Sequence, residues 1–246
     1  MHAMILAAGR GERMRPLSDH TPKPLLKVGA KALIVWHLER LAAAGFRTVV
    51  INHAHLGQQI ESTLGDGRLF GLDILYSPES PAALETAGGI AQALPLLGTQ
   101  PFLLINADIW CDWDCAQALR YQHKTMHDDA HLVFVDNPAE HPAGDFSLIE
   151  QRVYLLKPNN EQENLASAKR RDSLTYAGIG MFKPTFFHSV TPGQAMKLRP
   201  LLDAAIVQKR VSGEHYRGLW LDIGTPERLD AANRQLAQSS NSIAPQ

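Results

Sequence analysis

The sequence predicts an α/β protein built on a doubly wound, mainly parallel sheet. Strand-length apolar runs alternate with segments of helical apolar spacing through the first half of the chain, and such alternation is typical of parallel sheets. The run 4–8 ends at Gly9, and the most apolar run, 101–105, continues directly into Asn106-Ala107-Asp108. Because ligands bind at the carboxyl ends of the strands in these sheets, the two loops are expected to share one site.

Each element of the first half follows from its apolar spacing and its boundary residues. Helical spacing over 32–44 stops at Gly45, a residue type that commonly ends helices, and Pro95 is expected to end a helix over 86–94. The predicted strands are 4–8, 48–51, 72–76 and 101–105, and the remaining predicted helix is 55–64.

The second half of the chain is less regular. Strands are predicted over 130–135 and 175–182, a hairpin over 146–149 and 153–156, and helices over 198–208 and 227–236. Residues 159–172 are polar and charged and are expected to form a solvated loop, and 238–246 a disordered tail. The sequence contains no internal repeat and no interdomain linker, so residues 1–237 are expected to form a single domain.

Charge and cysteine content exclude several kinds of protein. The 24 Lys and Arg nearly balance the 25 Asp and Glu, so no global field would draw the chain to nucleic acid or to an anionic membrane, and neither partner is expected. The only cysteines, Cys111 and Cys115, are too few for a four-cysteine zinc site or a disulfide framework. The apolar run at the start is too short for a membrane span. We therefore expect a cytoplasmic protein.

The loop after the first apolar run has the composition of a phosphate-binding site. It reads Ala8-Gly9-Arg10-Gly11-Glu12-Arg13, and Thr21-Pro22-Lys23-Pro24-Leu25 follows. Small residues let backbone N–H groups approach an anion, while Arg13 adds a fork of donors and Lys23 a mobile positive charge. The third glycine of a dinucleotide fingerprint is replaced by Met14, and the Gly-Lys-Ser/Thr of a Walker loop is absent. A glycine turn beside a solvated basic stretch is the alternative, and the lysine motif at this spacing disfavours it.

Two aspartates, Asp108 and Asp222, each follow a strand-like apolar segment. Mg²⁺ prefers hard oxygen ligands and needs only one or two carboxylates when substrate phosphates complete its shell. Taken alone, either aspartate would more often be a helix cap or a turn residue. Together with a phosphate loop, the pair indicates a magnesium site.

These motifs resemble those of the sugar-1-phosphate nucleotidyltransferases, whose glycine–arginine loop and Pro-Lys-Pro lysine are matched by the two segments above. Further matches, in the family's order, are Glu85-Thr86-Ala87-Gly88-Gly89, Asn106-Ala107-Asp108, Tyr176-Ala177-Gly178-Ile179-Gly180 and Trp220-Leu221-Asp222-Ile223-Gly224-Thr225-Pro226. The chain departs from the family at Ala107, where glycine is usual, and at Leu156, where glutamate usually precedes Lys-Pro. The resemblance implies a Rossmann-like nucleotidyltransferase fold in which a small β insertion binds the sugar.

The resemblance also implies a role for each matched residue. Arg13, Lys23 and Asp108 would be catalytic, with Arg13 neutralising the leaving pyrophosphate and Lys23 stabilising charge at the α-phosphate. Asp108 and Asp222 would bind Mg²⁺, the expected cofactor. The nucleotide would contact Ala8, Gly9, Gly11, Glu12, Arg13, Lys23, Glu85, Gly88 and Asn106, with Gly88 leaving room for the base. The sugar would contact Asp145, Gly178 and Arg217.

The implied activity is attack of a sugar 1-phosphate on the α-phosphorus of a nucleoside triphosphate, with release of pyrophosphate. Segments 51–61, 136–138, 144–146 and 211–218 are similar to members that use UTP and N-acetylmuramate α-1-phosphate, so these are the expected substrates and UDP-N-acetylmuramate, for cell-wall sugar recycling, the expected product. Two alternatives stay open. One is uridylyl or guanylyl transfer to another sugar 1-phosphate, such as that of mannose, heptose or glucose, and the other is a non-catalytic sensor of nucleotide sugars. The sequence does not indicate an oligomeric state.

Overall fold

The computed structural model describes residues 1–121, 128–156 and 173–241. The strands are Ala3–Leu6 (β1), Lys27–Val28 (β2), Lys31–Ala32 (β3), Thr48–His53 (β4), Asp73–Pro78 (β5), Phe102–Asn106 (β6), Ile109–Cys111 (β7), Ala130–Val135 (β8), Phe146–Ile149 (β9), Arg152–Leu155 (β10), Ser173–Phe182 (β11), Val211–His215 (β12) and Trp220–Asp222 (β13). The helices are Leu33–Ala43 (α1), Gly57–Leu64 (α2), Glu85–Leu97 (α3), Ala116–Tyr121 (α4), Leu198–Val207 (α5) and Pro226–Asn241 (α6).

One sheet of nine strands, in the order β5-β4-β1-β6-β11-β8-β12-β10-β9, organises the molecule. Strands β5, β4, β1 and β6 are all parallel. Strand β11 then runs antiparallel between β6 and β8, β12 is parallel to β8, and β9 and β10 form the predicted hairpin. The sheet is therefore parallel in its first half and mixed in its second.

The strand order reverses between β1 and β6. The chain moves outward from β1 to β4 and β5 and then returns to β6 on the other side of β1. Leu6 stands level with Asn52 of β4 and with Asn106 of β6, so the three strands end together. Such a reversal opens a crevice at the carboxyl ends of the strands, and this is where the two motif loops meet.

Apolar side chains cover both faces of the parallel half. Along β1, Ala3 and Ile5 belong to one buried cluster, whereas Met4 belongs to the cluster on the opposite face. Strands buried on both faces are near-continuous apolar runs, which is why these were easy to recognise in the sequence. A third cluster joins Met14 of the phosphate loop to Ile223 and Leu229 near the start of α6, so the C-terminal helix braces the loop.

A short ribbon outside the main sheet joins β7 to β13. The strands are antiparallel, with Asp222 opposite Ile109, and the Ile223 N–H donates to the carbonyl oxygen of Asp108 at 2.9 Å. This pairing carries Asp222 to the side of Asp108.

Several predicted boundaries were wrong. Helix α3 continues through Pro95 to Leu97. The proline removes an N–H donor from the helix, but Leu97 in the following turn is buried in the core, which favours the helical conformation. Helix α6 runs to Asn241, beyond the predicted end at residue 236 and into the segment expected to be a tail. Strands β2, β3, β7 and β12 and helix α4 were not predicted; in β12, polar residues and Gly213 hide the strand pattern.

Two predictions concern residues that the structure does not describe. The predicted loop 159–172 lies outside the described residues, and so does the end of the predicted tail, 242–246. Within the described ranges, no helix combines the length and apolar character that crossing a membrane requires.

Candidate active site

A cleft of about 470 Å³ opens at the reversal point of the sheet. It is lined by Leu6, Ala7, Ala8, Gly9, Gly11, Glu12, Arg13, Lys23, Pro24, Asn52, Glu79, Ala83, Glu85, Thr86, Asn106, Ala107, Asp108 and Gly224. Among the residues predicted to contact the nucleotide, all but Gly88 line this cleft.

The phosphate loop is shaped around Gly11 and Lys23. Gly11 has φ +70°, and a Cβ atom there would lie 3.3 Å from the Cβ of Lys23, so both the backbone conformation and the packing favour glycine. Gly9 differs, because a Cβ atom there would meet nothing within 4 Å. The first glycine keeps the cleft open, and the second lets the loop close over Lys23.

Lys23 forms an ion pair with Asp108, with 2.8 Å between Nζ and Oδ2. The lysine is only 8% exposed, which contradicts our expectation of a mobile charge. It packs against Gly11 and lines the cleft. A buried charge must be paired, and Asp108 is the partner that the fold supplies.

Asp108 and Asp222 are close enough to repel each other. Burial raises the pKa of Asp222, the Asp108 carboxylate raises it further, and the cations Arg228, Lys23 and Arg13 oppose both effects. Arg228 also forms an ion pair with Asp222 and a second, at 3.0 Å, with Glu140. Among the described residues, no cluster of three or more His, Cys, Asp or Glu side chains could hold a metal ion. Two carboxylates that repel each other nonetheless suit a hard divalent cation as ligands. Phosphate oxygens and water would complete the ligand shell of such a cation.

A second chamber, of about 310 Å³, adjoins the cleft on the far side of Arg13. Arg13, Asn106 and Asp108 line both spaces. The other residues around this chamber are Ile109, Pro138, Glu140, His141, Thr175, Tyr176, Ala177, Gly178, Trp220, Asp222 and Arg228. Asp108 therefore lies at the junction of the two spaces, whereas Asp222 lines the second chamber alone of the two.

The structure separates the predicted sugar-site residues. Gly178 lines the second chamber with φ +74°, and a Cβ atom there would lie 2.7 Å from Nδ2 of Asn106. Asp145 lies behind the chamber wall, where Oδ2 accepts the Tyr176 N–H at 2.9 Å and Oδ1 lies 3.1 Å from Nε2 of His141. Asp145 therefore holds two lining residues and does not itself face the chamber.

Arg217 lines a third, outer chamber of about 400 Å³. The outer chamber shares Pro138, Glu140, Trp220, Asp222 and Arg228 with the second chamber. A substituent on a ligand in the second chamber could extend along this shared wall toward Arg217, whose side chain is exposed.

The opposite wall of the cleft is the start of α3. Glu85 lines it with φ +58°, a backbone conformation that is uncommon for a non-glycine residue. The structure gives Gly88 a packing role, while its predicted contact with the base stays a prediction. A Cβ atom on Gly88 would lie 2.3 Å from the carbonyl oxygen of Gln194 and 3.1 Å from the Met196 nitrogen. The glycine lets α3 pack against another backbone segment, behind the cleft.

Three site residues escaped the sequence analysis, namely Asn52, Glu79 and Arg228. Asn52 follows an apolar run directly, so its position at a strand end was a usable signal. Glu79 lies just beyond β5 in a Pro- and Ser-containing loop that carried no motif. Arg228 is six residues beyond Asp222, and only the turn into α6 returns its side chain to that carboxylate.

Comparison with known proteins shows the family of the chain. The model of the nucleotidyl transferase family matches residues 2–239. The chain belongs to this family. It is 52% identical to an N-acetylmuramate alpha-1-phosphate uridylyltransferase of Neisseria meningitidis serogroup B, over 94% of this chain and 96% of that one. It is 34% identical to a protein of the same name from Caulobacter vibrioides, over 96% and 97%.

More distant members of the nucleotidyl transferase family act on other sugars by name. The catalytic subunit beta of mannose-1-phosphate guanylyltransferase from Drosophila pseudoobscura is 27% identical over 92% of this chain and 59% of its own length. A solved structure from Bacillus anthracis, titled as a glucose-1-phosphate thymidylyltransferase, superposes with a TM-score of 0.79 at 20% identity, covering 96% of this chain and 95% of that one. The last comparison shows the shared fold alone. Family membership makes the chain a nucleotidyltransferase.

Proposed function

We propose that the chain transfers the uridylyl group of UTP to N-acetylmuramate α-1-phosphate and releases pyrophosphate and UDP-N-acetylmuramate. The observation that carries this proposal is the 52% identity, over nearly the whole of both chains, to a relative with that name. The cleft and the adjoining chamber give the two substrates separate spaces on either side of Asp108. We place the reaction in the cytoplasm, where nucleoside triphosphates are available.

The reaction requires positioning and charge stabilisation more than proton transfer. An oxygen of the sugar phosphate, which is already anionic near neutral pH, attacks the α-phosphorus, and the bond to the bridging oxygen of pyrophosphate breaks in line. No strong general base is needed, so the chain must align two anions and offset the charge of the transition state. Arg13, which lines both spaces, would neutralise the leaving pyrophosphate. Lys23 would stabilise charge at the α-phosphate.

Mg²⁺ is the cofactor that the carboxylate pair fits best. Asp108 and Asp222 would hold it, and when bound it supplies positive charge to the phosphate oxygens that meet between the two spaces. Burial raises the pKa of Asp222 and repulsion from Asp108 raises it further, and a divalent cation between the two carboxylates would relieve that repulsion. Arg228 would keep Asp222 oriented toward Asp108.

The sugar proposal rests on the second and outer chambers. N-acetylmuramate differs from N-acetylglucosamine by a lactyl ether whose carboxylate is ionised near neutral pH. A carboxylate buried without a partner is unfavourable, so its site should offer a cation. Arg217 in the outer chamber is the residue we propose for this role, and the shared wall between the chambers would let the lactyl group reach it.

A pyrophosphate-release assay tests the proposal directly. The purified protein is given UTP, GTP or dTTP with Mg²⁺ and a panel of 1-phosphates that includes N-acetylmuramate, N-acetylglucosamine, mannose and glucose. We expect the highest kcat/KM for UTP with N-acetylmuramate α-1-phosphate. Higher values with GTP and mannose 1-phosphate would replace the substrates but keep the reaction. No pyrophosphate release with any pair, despite nucleotide binding, would indicate a sensor.

A further inference from the structure

The nucleotide cleft has two walls that come from different parts of the chain. The phosphate wall begins at Ala7, directly after β1, and the opposite wall comprises Ala83, Glu85 and Thr86 at the start of α3. A ligand that contacts both walls requires a defined separation between them. Two buried side chains on the cleft floor, Asn52 at 2% exposure and Glu79 at 6%, connect the walls.

The connection is a continuous chain of hydrogen bonds. The Ala7 N–H donates to Oδ1 of Asn52 at 2.9 Å, and Nδ2 of Asn52 donates to Oε1 of Glu79 at 2.6 Å. The Leu84 N–H, one residue before α3, donates to Oε2 of Glu79 at 2.6 Å. Glu79 is itself fixed, because its N–H donates to the His53 carbonyl at 2.8 Å.

The pattern of donors determines which side chain can stand at position 79. The Ala7 N–H fixes the amide of Asn52, so Nδ2 must face Glu79. Leu84 presents a second N–H, and both partners of Glu79 are therefore donors. Only an ionised carboxylate accepts at both ends, whereas glutamine would place its NH₂ against one of the donors. Gly89 supports the arrangement, since a Cβ atom there would lie 2.3 Å from Oε1 of Glu79.

We infer that Glu79 is a positioning residue that sets the separation between the phosphate wall and the start of α3, and so aligns the base with the triphosphate. It acts through Asn52, Ala7 and Leu84. This inference rests on the proposed function, because it requires that the cleft binds a nucleoside triphosphate across both walls.

Exchanging the two side chains provides a sharp test. Glu79→Gln creates a conflict between two donors, and Asn52→Asp places two buried carboxylates in contact. The double variant restores the pattern with the carboxylate moved to position 52. That carboxylate would accept from the Ala7 N–H and from the new glutamine amide, whose oxygen would accept from Leu84. Net charge and the number of hydrogen bonds equal those of the wild type.

We expect each single variant to raise KM for UTP about 10- to 100-fold, the size of effect typical of a lost buried hydrogen bond to a charged group. KM for the sugar 1-phosphate should stay within about twofold, and the double variant should recover KM for UTP to within about threefold of the wild type. Glu61→Gln is the matched control. Oε1 of Glu61 lies 2.7 Å from Nε2 of His53, the residue after Asn52, but Glu61 contacts neither wall. The KM of the Glu61→Gln variant for UTP should equal that of the wild type.

The fragments of UTP separate alignment from direct contact. If Glu79 only positions the walls, Glu79→Gln should bind uridine and inorganic triphosphate as the wild type does, while its affinity for UTP falls. Weaker uridine binding that the double variant does not restore would mean that the carboxylate contacts the base, and would overturn the inference. Unchanged KM for UTP in Glu79→Gln would overturn it as well.

If Glu79→Gln does not fold, Gly89→Ala replaces it. Alanine raises helix propensity but pushes the Glu79 carboxylate aside, so we expect a stable protein with a raised KM for UTP, and an unchanged value would overturn the inference. If the wild type itself neither binds nor uses UTP, the proposed function fails first, and the variants are then compared with whichever nucleotide it does use.

Discussion

The two halves of the molecule build their parts of the site in different ways. In the parallel half, polar residues stand in the last two positions of neighbouring strands, as Asn52 and Asn106 do on either side of β1. In the mixed half, the chamber is assembled from separate segments, among them β11, β13 and the start of α6. The first arrangement depends on local sequence, and the second depends on how distant segments come together.

This difference between the halves affects which part of the site can change without altering the sheet. The cleft at the reversal point is lined by residues at strand ends and in the loops that follow them, so the sheet determines much of its geometry. The chamber residues are held by side chains, for example by Asp145, which holds Tyr176 and His141. We infer that the parallel half preserves the reaction, whereas the mixed half can change the sugar, and the predictions below test this division from the largest expected effect to the smallest.

The carboxylate pair belongs to both halves and should give the largest effect. We expect Asp108→Asn and Asp222→Asn each to lower turnover ~100-fold or more at saturating Mg²⁺, because groups that stabilise transition-state charge typically contribute that much. Pyrophosphate release measures the change. Asp114→Asn is the control, since Asp114 pairs with Arg120 at the surface and should not affect turnover. Near-normal turnover in both site variants would remove the metal role from the pair.

The two cations of the parallel half should follow. We expect Arg13→Ala and Lys23→Ala to keep the fold but lose roughly 100-fold in turnover with every sugar phosphate, by the same electrostatic reasoning. Lys23→Met, which preserves more of the buried volume, should lose as much. Circular dichroism separates the outcomes: an unfolded Lys23→Met variant would make the ion pair with Asp108 structural.

Arg217 tests the mixed half alone. We expect the wild type to prefer N-acetylmuramate over N-acetylglucosamine 1-phosphate, and Arg217→Ala to lower the ratio of the two kcat/KM values ~10- to 100-fold, since hydrogen bonds to charged groups contribute ~1.5–3 kcal/mol. Arg68→Ala, at an exposed ion pair with Asp66, is the control. A wild-type ratio near one would contradict the sugar assignment. An unchanged ratio in Arg217→Ala would rule out only the proposed role of Arg217 in binding the lactyl carboxylate, and Arg228 would then be the next candidate.

The last prediction concerns stability, which is measured on a scale of its own, and it applies to both halves. Burial lowers the pKa of His37 in α1 and of His131 in β8 to about 4. Below the usual value of about 6.5 the unfolded chain binds protons that the folded chain does not, so stability falls as the pH drops from 6.5 toward 4. Each histidine accounts for at most about 3 kcal/mol over that window. We expect the free energy of unfolding of His131→Gln, measured by urea denaturation, to fall less between pH 7 and pH 4.5 than that of the wild type. An equal fall in both proteins would contradict the assignment.

The contrast between the halves also explains what could be predicted from sequence. Strands β1, β4 and β6 are buried on both faces, so hydrophobic runs alone locate them, and the phosphate loop follows directly. Lys23 lines the cleft, but its burial could not be foreseen because it depends on how Gly11 packs against it. Arg228 and Glu79 act through contacts with residues distant in sequence or in elements that carried no motif. Periodicity and motif spacing contain no information about such contacts.

The β7–β13 ribbon makes the proposed metal site depend on contacts between segments far apart in the chain. Its strands lie more than 100 residues apart in the sequence, and contacts of such long range carry a high loop-closure entropy. The cleft depends on the same part of the chain, because Gly224 lines it and Ile223 and Leu229 pack against Met14 of its loop. Docking of the last quarter of the chain therefore completes the cleft and brings Asp222 to Asp108 in one step, so nucleotide binding and activity should both report on it.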